Sequence, residues 1–359
     1  MFIVIVTCVA TAIFSLILTP FVRKFAIKIR AVDEPGERKI NLKEVPTLGG
    51  LAVYLSFFFA LFFILPIPFG QIMPIFLGAT AVLATGIIDD LIELTPKMKM
   101  VGITLASLII YFLADIKIDI ITLPFIGSWS MGIFSLPVTV IWILAITNAV
   151  NLIDGLDGLA TGVSMIALTT MGIIGYFFLT VDNAVVSIMI FVLVGALAGF
   201  LPYNFYPARI FLGDTGALFI GFMIAVMSLQ GLKNATLITL IIPIVILGIP
   251  ITDTIYAMIR RYLNKKPISS ADKMHLHHQL MALGLTHRQA VLAIYCLAAI
   301  FSVIALIYPV STLWGSLFLT LGLLFGLELF VESIGLVGKD SKPFLNKMKK
   351  FANNLNKKE

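Results

Sequence analysis

The chain has 359 residues, of which 60% are hydrophobic and only 12% charged, with a mean hydropathy of +1.06. Soluble domains carry about a quarter charged residues, so this composition excludes an ordinary soluble protein and predicts an all-α, polytopic integral membrane protein. The formal net charge is +6, and no nucleic-acid partner is expected.

A bilayer-spanning helix needs about 20 apolar residues. On that requirement about eleven spans are expected, within 2–22, 49–69, 70–88, 99–116, 131–150, 157–180, 183–203, 214–231, 235–258, 289–308 and 311–334. The first has no basic residue before it and RKFAIKIR directly after it, which reads as a retained anchor with its N-terminus outside. Only PIPFGQ, with two prolines and a glycine, separates the second span from the third. Cys8 and Cys296 lie far apart in apolar runs, so no disulfide is implied and both read as buried small hydrophobes.

With the N-terminus outside, 23 of the 25 lysines and arginines fall on the cytoplasmic side, and only Lys117 and Lys233 fall outside. Such a partition supports both the orientation and an odd number of spans, with a cytoplasmic C-terminus. The chain divides into one multi-span domain, 1–335, with cytoplasmic loops at 23–48, 89–98, 148–158, 204–214 and 259–288. A basic tail follows at 336–359, where KKFANNLNKKE is solvated or lies against anionic lipid.

The polar motifs all fall on that same side: ERKINLKEVPTLGG, GIIDD, NAVNLIDGLDG, FLGDTG and ADKMHLHHQL. A transport path would place ionisable groups near the bilayer midplane, whereas these collect at helix ends. Asp89 and Asp90 close the third span, where two adjacent carboxylates oppose the helix dipole and each other. They cost stability unless a cation is near, Mg²⁺ or a lysine, and successive positions point about 100° apart, so one carboxylate faces the site while its neighbour supports it or faces water. A solvated helix end is the plain alternative. Asp214 reads as an N-cap before an apolar helix, and Gly213 and Gly216 beside it allow close approach of a phosphate. Asp154 and Asp157 admit capping too, but capping needs one acid and this turn has two, preceded in register by Asn148 and Asn151.

His275, His277 and His278 are three of only four histidines. Zinc, a surface loop and the handling of a phosphate are the alternatives, with no cysteine ligand to favour zinc and His287 too far along to complete a set. Arg38 and Lys39 are natural anion contacts, and Thr47 in the adjoining turn is counted with them as substrate-binding. Carboxylates, asparagines, imidazoles and basic groups on one interface describe phosphoryl transfer, with Mg²⁺ (or Mn²⁺) neutralising a pyrophosphate. The chain has neither a P-loop nor a kinase signature, and many spans imply a lipid acceptor.

GIIDD, NAVNLIDGLDGLA, FLGDTG and ADKMHLHH, in this order, resemble the polyprenyl-phosphate N-acetylhexosamine-1-phosphate transferase family over nearly the whole chain. Within it, HLHH resembles the branch that moves GlcNAc-1-phosphate to begin teichoic-acid linkage units and other surface polysaccharides. The peptidoglycan branch shows three consecutive histidines and then an acid; here Leu276 interrupts the run and Leu280 stands in the acid's place. The resemblance implies transfer of a sugar 1-phosphate from a UDP-N-acetylhexosamine to undecaprenyl phosphate in a bacterial plasma membrane, with release of UMP. It implies Asp89 as base or metal ligand, Asp90 as its partner and Asp214 as a Mg²⁺ ligand. It further implies that Asn148, Asn151, Asp154 and Asp157 line the nucleotide and pyrophosphate site, and that His275, His277 and His278 engage the donor. Asn41 replaces a histidine usual in the first cytoplasmic loop, and Ala217 follows GDTG where many relatives have serine.

Three alternatives remain: another donor, such as UDP-MurNAc-pentapeptide; a homodimeric assembly; and a transporter gated by cytoplasmic acids. The transporter would have to use Asp253, expected to face the bundle near its cytoplasmic end, or Glu328 and Glu332, expected to be structural or interfacial. Finally, steps of three residues on an unbroken helix would put Asn148 and Asp157 on opposite faces. Gly155 and Gly158 predict a break instead, with the fifth span ending near Ile153 and both aspartates on a turn.

Overall fold

The computed structural model describes residues 2–33, 44–123, 127–178, 184–230, 237–265, 267, 274–336 and 346. Thirteen α-helices are found among them: α1 (Phe2–Lys28), α2 (Gly49–Phe59), α3 (Phe69–Ile92), α4 (Pro96–Leu113), α5 (Ser135–Ile153), α6 (Leu159–Phe177), α7 (Ala184–Asn204), α8 (Gly213–Gln230), α9 (Leu237–Ile246), α10 (Gly248–Leu263), α11 (Leu276–Ala282), α12 (His287–Ile307) and α13 (Leu313–Ile334). Two short antiparallel ribbons qualify the all-helical expectation. One joins β1 (Val32–Asp33) to β2 (Val45–Pro46), and the other joins β3 (Ile120–Leu123) to β4 (Gly127–Ser130).

Nine helices among the described residues are long and apolar enough to cross a membrane, rather than the eleven expected. Both departures have a backbone cause. The 49–69 span ends at Ile64, after a π-helical turn over Ala60–Ile64, because the prolines of LPIPF stop it. The 235–258 span is broken at Leu247 into α9 and α10; Pro250 has no N–H to give the carbonyl of Ile246, so the ladder is interrupted there.

Helix α8 is apolar on every side, and a helix without a polar face must be buried all round. It forms the centre, with α2, α3 and α5 packed about it. Small residues let these backbones touch. A methyl group on Gly50 would lie 2.1 Å from Cα of Gly216, one on Gly86 2.5 Å from Cα of Thr215, and one on Gly221 2.8 Å from Cα of Thr147. Helix α1 meets α7 in the same way, with Gly195 against the Cys8 carbonyl, Gly199 against that of Ala12, and the Ser15 hydroxyl donating to Ala196 O at 2.7 Å.

Cys8 is half-buried in that contact, but Cys296 is exposed, contrary to expectation. It shares one face of α12 with the exposed Leu292, Ile300 and Val303. An apolar neighbourhood in sequence does not distinguish a lipid-facing stripe from a core-facing one. Helix α13 is the most peripheral span, fastened to α10 by the Tyr256 hydroxyl on the Glu328 carboxylate and by Arg260 Nη1 on Leu336 O at 2.6 Å.

Candidate active site

Asp90 lies in the last turn of α3, and its carboxylate caps the N-terminus of a different helix. Oδ1 accepts from Asp214 N at 3.0 Å; Oδ2 accepts from Thr215 N at 3.0 Å and from the Thr215 hydroxyl at 2.6 Å. The first N–H groups of a helix have no partner within it, and an anion there also meets the positive end of the helix dipole. Gly213 makes the approach possible: its φ is +72°, and a Cβ there would lie 2.5 Å from Asp90 Oδ2. Asp214 is therefore not the N-cap the sequence suggested. It sits inside the first turn of α8, its own carboxylate left for other work.

Asp89, one position earlier, points elsewhere. Its Oδ1 accepts from Leu94 N at 2.7 Å, and its Oδ2 is ion-paired with Lys99 in the first turn of α4. Lys99 Nζ also lies 3.4 Å from Asp214 Oδ2, and Asn151 donates its amide to Asp214 Oδ1. Lysine at a helix N-terminus opposes the dipole, so α4 gains nothing from it locally; its place is explained by the two carboxylates it bridges. The expected need for a cation near the aspartate pair is met here by Lys99. The two carboxylates do diverge, Asp90 toward the start of α8 and Asp89 toward Leu94 N and Lys99.

Helix α5 ends at Ile153 and α6 begins at Leu159, so the predicted glycine-hinged turn is present, with Gly158 at φ +77°. The four polar residues of the series have separate roles. The Asn148 amide donates to Leu144 O at 2.8 Å, within its own helix. Asn151 reaches Asp214 as described. Asp157 Oδ2 accepts from Ala208 N at 2.9 Å, and its backbone N–H donates to His287 Nε2 at 3.0 Å, tying the turn to the 205–209 loop and to α12. Asp154 makes no side-chain hydrogen bond or ion pair among the described residues, and it is recessed beside the other acids. Burial first, then the charges of Asp214, Asp90 and Asp157, push its pKa well above the usual carboxylate range.

The histidines close the site from the loop after α10. The His277 ring rests against Gly155, where a Cβ would lie 2.4 Å from its Cε1 and Nε2. Burial holds its pKa down at about 3, so it stands there as a neutral imidazole. The His278 ring is 4.2 Å from it, and the His275 ring lies parallel at 6.0 Å. His275 Nδ1 meets Asp253 Oδ2 at 2.8 Å.

Arg38, Lys39 and Asn41 lie outside the described residues. Thr47 is described, and its hydroxyl donates to Ala31 O at 3.2 Å while its N–H donates to the same carbonyl at 3.0 Å. Both of its donors thus meet the carbonyl just before β1. Beyond it, Gly49 N and Gly50 N donate to Phe211 O and Leu212 O at 2.9 Å each, joining the start of α2 to the GDTG segment.

Three members of the site were missed from the sequence. Lys99 was counted only as cytoplasmic positive charge; its place one turn after a Thr-Pro helix start, close in sequence to an acid pair, was the available signal. His287 was set aside as too distant, yet it bonds the Asp157 backbone and stacks on Tyr206 at 4.4 Å. Asp253 was read only as facing the bundle.

The donor set suits a hard cation: carboxylate and amide oxygens, with an ammonium already seated between Asp89 and Asp214. Among the described residues no three His, Cys, Asp or Glu side chains converge to hold a metal unaided. Mg²⁺ characteristically takes one or two protein carboxylates and completes its shell with water and substrate phosphates, a mode this pair fits.

A family model for glycosyl transferase family 4 matches residues 72–232, the stretch that carries both aspartates of α3, the 148–158 turn and Asp214. The chain is 42% identical over 343 residues to a probable undecaprenyl-phosphate N-acetylglucosaminyl 1-phosphate transferase of Bacillus subtilis, covering 95% of each chain. It is 33% identical over 314 residues to decaprenyl-phosphate N-acetylglucosaminephosphotransferase of Mycolicibacterium smegmatis, covering 79% of this chain and 77% of that one. It is also 33% identical over 314 residues to phospho-N-acetylmuramoyl-pentapeptide-transferase of Clostridium botulinum, covering 82% and 90%. Taken with the carboxylate site at the ends of α3, α5 and α8, these likenesses establish a multi-pass membrane phosphotransferase, and the chain belongs to glycosyl transferase family 4, the polyprenyl-phosphate N-acetylhexosamine-1-phosphate transferases.

Proposed function

We propose that the protein transfers GlcNAc-1-phosphate from UDP-GlcNAc to undecaprenyl phosphate, as the first membrane step of teichoic-acid or other surface-polysaccharide synthesis. The reaction is placed at the cytoplasmic face of a bacterial plasma membrane, with the N-terminus outside. In the net reaction the bond from the sugar-bearing phosphorus to the UMP oxygen breaks, a bond from that phosphorus to an oxygen of the lipid phosphate forms, and UMP leaves. The observation that carries this reading is the convergence of Asp89, Asp214, Asn151 and Lys99, beside the recessed Asp154.

So acidic a pocket admits a pyrophosphate only if its charge is lowered. Asp89 and Asp214 are the residues that would hold Mg²⁺, which when bound supplies neutralisation of the donor pyrophosphate. Asn151 orients Asp214, and Asp90 fixes the helix end that presents it. Lys99, seated between the same two carboxylates, would supply positive charge to a phosphate oxygen and so steady the transferring group. Asp154, recessed beside Asp214, Asp90 and Asp157, lines the same pocket.

The HLHH spelling at 275–278 and the 42% identical Bacillus protein favour GlcNAc over a muramoyl-pentapeptide donor. The transporter reading loses ground, since Asp253 is bound to His275 and Glu328 to Tyr256. Purified protein given UDP-GlcNAc, Mg²⁺ and undecaprenyl phosphate should release UMP and form lipid-linked GlcNAc. A panel of other UDP-N-acetylhexosamines and UDP-MurNAc-pentapeptide tests the donor, and failure to turn over any of them overturns the proposal.

A further inference from the structure

Asp253 is 2% exposed on α10, and an isolated carboxylate so buried is costly. Both its oxygens are used by one short segment. Oδ2 meets His275 Nδ1 at 2.8 Å, and Oδ1 accepts from Leu276 N, the first N–H of α11, also at 2.8 Å. The second bond alone would be served by a neutral oxygen, as in asparagine. The first needs a group that only accepts, because an ionised carboxylate obliges the facing ring nitrogen to carry the proton.

We infer that Asp253 is a positioning residue for the transfer reaction: it fixes His275 in the Nδ1–H form, leaving Nε2 as the lone-pair nitrogen of a ring held in one orientation. The inference rests on the phosphotransfer reading above. The arrangement matches the logic by which buried carboxylates orient imidazoles in other enzymes, setting tautomer and ring angle without touching substrate. His277 and His278 flank the pair from α11, and the parallel His275 and His277 rings lead to Gly155, beside Asp154. A buried carboxylate on α10 thereby sets the geometry of the histidines at the start of α11.

The test is a double-mutant cycle on UMP release by the full chain in nanodiscs, using Asp253→Asn, His275→Ala and the double variant. Each single change should lower kcat on the order of 10- to 100-fold, and the double variant should be no worse than His275→Ala, because Asp253 acts through that ring. Multiplying losses, or an unimpaired Asp253→Asn, would overturn the inference. A second measurement does not depend on the variants folding. With only four histidines in the chain, ¹⁵N-histidine NMR of the wild type at alkaline pH should show His275 protonated at Nδ1 and bare at Nε2; the opposite tautomer overturns the inference. Wild-type protein that turns over no donor would sink the functional reading, while the NMR result would still decide the Asp253–His275 pair.

Discussion

Replacing Asp90 with asparagine separates a capping carboxylate from a reacting one. In the wild type its two oxygens receive three hydrogen bonds from Asp214 N, Thr215 N and the Thr215 hydroxyl. An asparagine keeps one oxygen and turns an NH₂ toward donors on the other side, so one or two charge-assisted bonds are lost. At about 1.5 kcal/mol or more each, the loss comes to about 3 kcal/mol. Spread over an unfolding entropy of about 2 cal/mol/K per residue for a chain of this length, that lowers the thermal midpoint by about 4 °C. Thr215→Val removes only the hydroxyl bond and should cost about 1 kcal/mol. Thermal unfolding in detergent, read beside UMP release, checks both. Asp90→Asn should lose stability and turnover together, because the helix end that presents Asp214 loosens. An Asp90→Asn protein that melts like the wild type yet is inactive would refute the capping argument and return Asp90 to the reacting groups.

Asp214→Asn should melt within about 1 kcal/mol of the wild type but lose UMP release by on the order of 1,000-fold, and chelation of divalent cations should abolish wild-type turnover until Mg²⁺ or Mn²⁺ is restored; turnover persisting in chelator removes the metal from the scheme. His277 is protonated in the folded protein only near 3, against 6.5 for a free histidine, so between those values the unfolded chain binds the extra proton. Its contribution is complete above 6.5 and lost as pH falls; at about pH 5 the loss is about 2 kcal/mol. Melting curves at neutral pH and about pH 5 should show a slope that His277→Gln flattens, and equal slopes would refute the assignment. Gly155→Ala drives a methyl group to 2.4 Å from the His277 ring, so the ring must shift; turnover should fall about 10-fold or more with little change in melting, and unchanged kinetics would show that this contact is idle.

The sequence made legible what depends on local rules. The break after Ile153 followed from Gly155 and Gly158, and the division of labour between Asp89 and Asp90 followed from the turn of a helix. Prolines were present to mark the interruption at Leu247, but hydropathy averaged over the window read straight through it. What could not be read depends on which elements meet. Lys99 and Asp214 are neighbours only because α4 and α8 both pack on α3 or against its end, and His287 reaches Asp157 across 130 positions. The bond from the Thr47 hydroxyl to the Ala31 carbonyl, 16 positions back, is likewise a matter of which segments meet. Cys296 shows the same limit: an apolar run reports the solvent, lipid or protein interior alike.

The cap that Asp90 places on α8 also bears on how the protein is made. A chain inserted into the bilayer only as far as α7 already carries Asp90, but the N–H groups it serves lie more than 120 positions ahead. Until α8 arrives, the Asp90 carboxylate lacks the N–H groups it caps, and Asn151 and Lys99 lack Asp214. The bonds that cap α8, the most buried span among the described residues, are thus also those that bring Asp214 into register with Asn151 and Lys99. Insertion of α8 and assembly of the carboxylate cluster therefore coincide.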